Sequence, residues 1–205
     1  MPLKIKICGI TNREDALAAV DAGADALGFV YYEASPRNIS REAAARIIRE
    51  LPPFVAKVGV FVDASEEFVR QTVAECGLDT LQFHGNESPG YCRRFSQKTI
   101  KAFRVRDAAS LKLLPDYETD AWLLDSFASD KLGGTGSAFN WDLAVEAKKF
   151  GRAIILAGGL NPENVAEAVR RVRPYAVDVS SGVESGPRKK DHVNLRAFVQ
   201  AARSV

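Results

Sequence analysis

The chain has 205 residues, 46% of them hydrophobic and 26% charged, with fifteen Gly and nine Pro. These values lie near globular averages, which excludes a disordered chain, a collagen-like repeat and a disulfide scaffold. The balance of 28 Lys plus Arg against 26 Asp plus Glu gives only +2, which argues against nucleic acid as a partner, and no run approaches the ~18 apolar residues of a membrane span.

Met1 to Ile7 alternates Lys with Leu and Ile and reads as a strand, because it lacks the apolar core of a signal peptide. Three cysteines, Cys8, Cys76 and Cys92, form an odd set without a C-x-x-C pair. They read as reduced thiols in a cytoplasmic protein. Eight strand-length apolar runs then follow in order: Lys4 to Ile7, Ala26 to Val30, Val55 to Phe61, Thr80 to Phe83, Thr99 to Phe103, Ala121 to Leu124, Ala153 to Ala157 and Ala176 to Val179. Most show little alternation of polarity, as strands of a parallel sheet covered on both faces do.

Helical patterns separate these runs. Thr11-Asn12-Arg13-Glu14 fits a capping box, Ser40 precedes Arg41-Glu42, and Asp63-Ala64-Ser65-Glu66 opens the next helix. Ser88-Pro89 and Asn161-Pro162 each set a capping side chain before a proline at a first helical position. Ala43, Ala44, Ile47, Ile48 and Leu51 form one apolar stripe, and Leu195, Phe198, Val199 and Ala202 another. Eight βα units of about 26 residues each suit a single-domain (β/α)8 TIM barrel spanning 1–205. An open doubly wound sheet is the alternative, and it usually has fewer strands and a topological break.

In such a barrel the chemistry lies where strands end and helices begin. Cys8-Gly9 ends the first run, Arg37 follows the second after Ser35-Pro36, and His84-Gly85 ends the fourth. Asp125 ends the sixth, Gly158-Gly159 the seventh, and Asp178 lies in the eighth before Ser180-Ser181-Gly182. The last two loops suit a phosphate, because small residues let backbone N–H groups approach an anion; a plain tight turn also accounts for Gly158-Gly159. Gly133-Gly134-Thr135-Gly136 reads as a lid or as a surface turn.

An ordinary thiol is about 3% thiolate at pH 7, so a cysteine base needs a cationic or dipolar neighbour. The helix opening at Thr11 is the expected source for Cys8. Asp125 closes the apolar run Ala121 to Leu124, where burial is expected to raise its pKa towards that of a general acid. A base and an acid facing each other suit an isomerisation, in which a proton leaves carbon and another reaches oxygen. Arg37 offers a donor fork for a carboxylate, and His84 suits positioning. His84 and His192 lie far apart and no metal motif occurs. Of the strand lysines Lys6, Lys57 and Lys101, none ends a strand, which weighs against a Schiff-base aldolase. A non-catalytic phosphosugar-binding protein remains the other rival.

Together these landmarks resemble the phosphoribosylanthranilate isomerase family over nearly the whole chain. The resemblance rests on Lys6-Ile7-Cys8-Gly9-Ile10-Thr11, Gly28-Phe29-Val30, Ser35-Pro36-Arg37, Val58-Gly59-Val60-Phe61 and Gln82-Phe83-His84-Gly85. It continues through Leu123-Leu124-Asp125, Gly133 to Gly136, Leu156 to Asn164 and Val177 to Glu184; Phe83 departs mildly from a frequent Leu. It implies a cofactor-free Amadori rearrangement, with Asp125 as general acid and Cys8 as general base. It also implies that Arg37 holds the anthranilate end, that Asp178 bonds a sugar hydroxyl or the bridging nitrogen, and that His84 positions the substrate. Gly158, Gly159, Ser180, Ser181 and Gly182 then hold the phosphate. The implied partner is a small phosphosugar, with neither nucleic acid nor membrane, and the chain is expected as a monomer or homodimer.

Overall fold

A computed structural model describes residues 2–126 and 141–205. Eight parallel strands close into a barrel in chain order: β1 (Lys4–Cys8), β2 (Ala26–Tyr31), β3 (Ala56–Phe61), β4 (Thr80–Phe83), β5 (Lys98–Val105), β6 (Ala121–Ser126), β7 (Ala153–Leu156) and β8 (Ala176–Val179). The predicted runs agree within two residues at every end. Closure comes from β1 pairing with β8, Lys6 opposite Asp178. The open doubly wound alternative is thereby excluded.

Successive strand side chains alternate between the barrel interior and the helical shell. In β6, Ala121 and Leu123 join Ile100, Ala102, Ile155, Ala157 and Ala176 inside, while Trp122 and Leu124 face outward into the main core with Phe29, Phe61, Phe83 and Phe198. Small aliphatic residues therefore fill the β5 to β8 side of the interior. On the β1, β4 and β8 side, the buried groups include the polar Lys6, Gln82 and Asp178.

The helices are α1 (Arg13–Asp21), α2 (Arg41–Ile48), α3 (Glu66–Cys76), α4 (Pro89–Cys92), α5 (Trp141–Lys148), α6 (Val165–Val172) and α7 (His192–Arg203). Ser40, Ser65 and Ser88 cap α2, α3 and α4 through their hydroxyls. The cap of α1 is Asn12, whose side chain accepts from Asp15 N, and Thr11 instead donates its hydroxyl to the Arg188 carbonyl at 2.9 Å. The opening at Asn161-Pro162 forms a turn capped by Asn161, which accepts from Glu163 N and Asn164 N; α6 starts only at Val165. Both apolar stripes pack inward, with Ala44, Ile47 and Ile48 buried from α2 and Leu195, Phe198, Val199 and Ala202 from α7.

Among the described residues, two 3₁₀ segments break the regular alternation: Ala108–Asp116 stands between β5 and β6, and Ser181–Val183 follows β8. After it comes a short antiparallel hairpin, β9 (Glu184–Gly186) and β10 (Lys189–Lys190), that the sequence did not announce. Gly133 to Gly136, the candidate lid, lies outside the described residues. Among the described residues, no helix is long and apolar enough to cross a membrane.

Candidate active site

The C-terminal ends of the strands surround a cavity of about 670 Å³, lined by every residue the sequence offered for acid–base, substrate or phosphate roles: Cys8, Arg37, His84, Asp125, Gly158, Gly159, Asp178, Ser180, Ser181 and Gly182. The fold thus brings together groups from both ends of the chain.

Cys8 ends β1 and is only 8% exposed, packed against Val30 and Val60. Gly9 follows with φ +77°, and the N–H groups of Gly9 and Ile10 both donate to the Gly28 carbonyl, which turns the chain out of the barrel. Burial pushes the Cys8 thiol up, and the cation that opposes it most is Lys6. The expected helix dipole is not the source of relief, because α1 begins at Arg13, five residues on. The Lys6 ammonium is buried and donates to Asp178 Oδ1 at 2.9 Å. Burial works to lower the Lys6 pKa, but Asp178 and Cys8 outweigh it and keep the amine charged. A charged lysine is a poor nucleophile, so the site does not fit a Schiff-base aldolase.

Asp125 belongs to the inward-facing set of β6 and is not buried as the sequence suggested. Its side chain is 30% exposed and meets His84 Nε2 at 3.3 Å. Pairing and access to the cavity remove the cost that an isolated carboxylate in an apolar strand would carry. His84 is itself held by Gln82, whose Nε2 lies 3.0 Å from His84 Nδ1. With the amide as donor, Nδ1 accepts and the Nε2–H faces Asp125.

The Arg37 fork is already engaged. Its Nε and Nη2 donate to Glu184 Oε1 and Oε2 at 2.8 and 2.6 Å. Glu184 also accepts from Lys190 Nζ at 2.8 Å, and that ammonium donates to the carbonyls of Cys8 and Ser180. Burial alone would raise the Glu184 carboxyl, but Arg37 and Lys190 hold it below its ordinary value. Burial pushes Lys190 down.

In the loop after β7, Gly158 and Gly159 adopt φ +79° and +68°, a conformation that costs glycine little, and both line the cavity. A Cβ on Gly182 would overlap the Leu160 carbonyl oxygen, so only glycine lets these two loops close together. Ser180 Oγ is buried and has no hydrogen-bond partner among the described residues, an orphan that an anion in the cavity would satisfy.

Sequence reasoning missed Lys6 and Gln82 below the mouth, Arg104 beside Asp125 in the β5–β6 register, and the Glu184–Lys190 pair of the hairpin. The alternation of β1 and β5 carried the only signal, since Lys6 shares the inward face of Cys8 and Arg104 that of Ala102.

Residues 5–201 match the family model described as N-(5'phosphoribosyl)anthranilate (PRA) isomerase. The chain is 60% identical over 202 residues, 98% of each chain, to N-(5'-phosphoribosyl)anthranilate isomerase of Geobacter sp. strain M21. Among solved structures, phosphoribosyl anthranilate isomerase from Thermotoga maritima superposes with a TM-score of 0.93 at 44% identity, covering 99% of this chain and 100% of that one. A phosphoribosyl anthranilate isomerase in complex with reduced 1-(o-carboxyphenylamino)-1-deoxyribulose 5-phosphate superposes at 0.90 with 43% identity, over 99% of this chain and 100% of that one. A cavity with phosphate-suited loops at one rim and a thiol and a carboxyl on its walls agrees with that kinship, and the chain belongs to the N-(5'-phosphoribosyl)anthranilate isomerase family, an aldose–ketose isomerase of tryptophan biosynthesis.

Proposed function

We propose that residues 1–205, acting as one barrel domain, carry out the Amadori rearrangement of N-(5'-phosphoribosyl)anthranilate with Asp125 as general acid and Cys8 as general base. The observation that carries this reading is the placement of both groups on one cavity, three strands apart around the barrel, with the phosphate-suited loops of β7 and β8 between them. Protonated Asp125 gives its proton to the ribose ring oxygen, the C1–O bond breaks, and the nitrogen lone pair forms an iminium with C1. Cys8 thiolate then removes the proton from C2. The C–H electron pair becomes the C1–C2 double bond and the iminium pair returns to nitrogen, so the substrate supplies its own electron sink. The enolamine tautomerises to the ketone, 1-(2-carboxyphenylamino)-1-deoxyribulose 5-phosphate.

The phosphate sits against Gly158, Gly159, Ser180, Ser181 and Gly182, with the Ser180 hydroxyl as one donor. Arg37 takes the anthranilate carboxylate through Nη1, the nitrogen its bonds to Glu184 leave over. Asp178 bonds a sugar hydroxyl or the bridging nitrogen, and His84 holds Asp125 and the substrate in register. Remote binding at both anionic ends orients C2 towards the sulfur.

The test is turnover of phosphoribosylanthranilate generated in situ, followed by loss of anthranilate fluorescence. Cys8→Ala and Asp125→Ala each lower kcat by about 10²- to 10⁴-fold with KM little changed. Undiminished kcat in either variant removes that residue from its role, and a silent native protein that still binds the product overturns the reaction itself.

A further inference from the structure

The base has an unusual setting. Cys8 is buried against aliphatic neighbours and its thiol is pushed up by that burial. The charged groups facing it are Lys6 on its own strand, Asp178 from β8, Lys190 from β10 and Arg37 from the loop after β2. Arg37 and Lys190 share Glu184 as counterion, and Lys190 bonds the Cys8 backbone carbonyl. Lys6 differs in both respects. A Cβ built on Gly28 would stand 2.8 Å from Cys8 Sγ and 3.1 Å from Lys6 Nζ, so sulfur and ammonium converge on the one space that glycine leaves open. Lys6 is anchored from behind by Asp178 at 2.9 Å, with side-chain exposures of 4% and 9%.

We infer that Lys6 is the positioning residue for the base: its ammonium, fixed between Asp178 and the sulfur, is the charge that stabilises a Cys8 thiolate inside the barrel. The arrangement alternates in sign, carboxylate, ammonium, thiolate, so each charge has an opposite neighbour in a place poor in water. When Cys8 takes the C2 proton the sulfur becomes neutral, and Lys6 keeps its proton and its pairing with Asp178. This inference rests on Cys8 as the base, and it explains how a buried thiol far from a helix end becomes usable.

Alkylation of Cys8 by iodoacetamide tests it independently of turnover. Rates are measured from pH 6 to 10 on the full chain, with adducts located by mass spectrometry so that Cys76 and Cys92 are distinguished. Asp178→Asn removes the opposing carboxylate, leaves Lys6 charged, and speeds alkylation at neutral pH. The double variant Lys6→Met/Asp178→Asn removes the ion pair as a unit, and its alkylation is at least ~10-fold slower at pH 7 than that of Asp178→Asn, with the inflection moved up by about one unit. Coincident profiles for the two variants overturn the inference. Should the double variant fail to fold, Asp178→Asn decides alone, because alkylation no faster than native shows that the Lys6 charge does not act on the sulfur. Alkylated native enzyme that turns over normally would instead remove Cys8 as base while leaving the Lys6–Cys8 coupling intact.

Discussion

Glu184 grips Arg37 through two parallel hydrogen bonds of 2.8 and 2.6 Å across 147 residues of sequence. The pair converts a loop arginine into a fixed element of the cavity wall. Arg37→Ala is expected to raise KM by about 10- to 100-fold, the worth of one charge-assisted hydrogen bond, with a smaller change in kcat. Glu184→Gln loosens the fork and raises KM less. Steady-state kinetics check both, and an effect confined to kcat would move Arg37 into the chemistry.

The same carboxylate links stability to acid. Arg37 and Lys190 overcome the upward push of burial and hold Glu184 below the ordinary glutamate value of ~4.3. A group depressed in the folded state stabilises fully above its unfolded pKa, and that contribution disappears as pH falls through the lower folded value. Thermal melts from pH 6 to 3 are therefore expected to show a native acid limb that is shallower in Glu184→Gln, whose Tm is already lower at pH 6. Parallel curves would separate Glu184 from the acid response.

Gly28 is required by space. A methyl group there would crowd Cys8 Sγ, Cys8 Cα and Lys6 Nζ at 2.8, 3.1 and 3.1 Å. In the proposed mechanism, displacement of the sulfur by a fraction of an ångström moves it out of line with C2, and Gly28→Ala should lower kcat by about 10²-fold. Unchanged kcat at unchanged Tm would show that the wall gives way without moving the thiol.

A further buried ion pair, Lys101 with Glu87, lies outside the cavity lining. Lys101 Nζ donates to Glu87 Oε2 at 3.2 Å and to the carbonyls of Phe83, Gly85 and Ala102, while Glu87 also accepts from the N–H groups of Asp63 and Gly85. Both side chains are almost wholly buried. Lys101→Met strands the carboxylate and is expected to cost about 3–5 kcal/mol, whereas the double variant Lys101→Met/Glu87→Leu costs clearly less. Urea denaturation of the three proteins measures the difference.

The barrel was legible because buried parallel strands announce themselves as apolar runs with glycine or capping residues at their ends. The cavity lining was legible because strand ends are where a barrel places its chemistry. Pairings across the chain were not. Nothing near Arg37 foretells Glu184, and Lys6 reads as one of two lysines alternating through the first strand until closure sets it opposite Asp178. Thr11 and Asn12 are both good caps, so local sequence does not choose between them; the Thr11 contact to Arg188, 177 residues away, does. The apolar run before Asp125 suggested burial, but the run ends where the strand reaches the open mouth.

The bond between Lys6 and Asp178 lies where the first strand meets the last, 172 residues apart. During synthesis β1 leaves the ribosome with its ammonium, its thiol and one sheet edge unmatched, and these stay so until β8 emerges. Formation of the Lys6–Asp178 pair and closure of the sheet are consequently one event. The logarithmic entropy of closing so long a loop falls on the pairing of β1 with β8. A nascent chain stalled before Asp178 can have seven strands in order and still lack the counterion of the lysine beside its thiol.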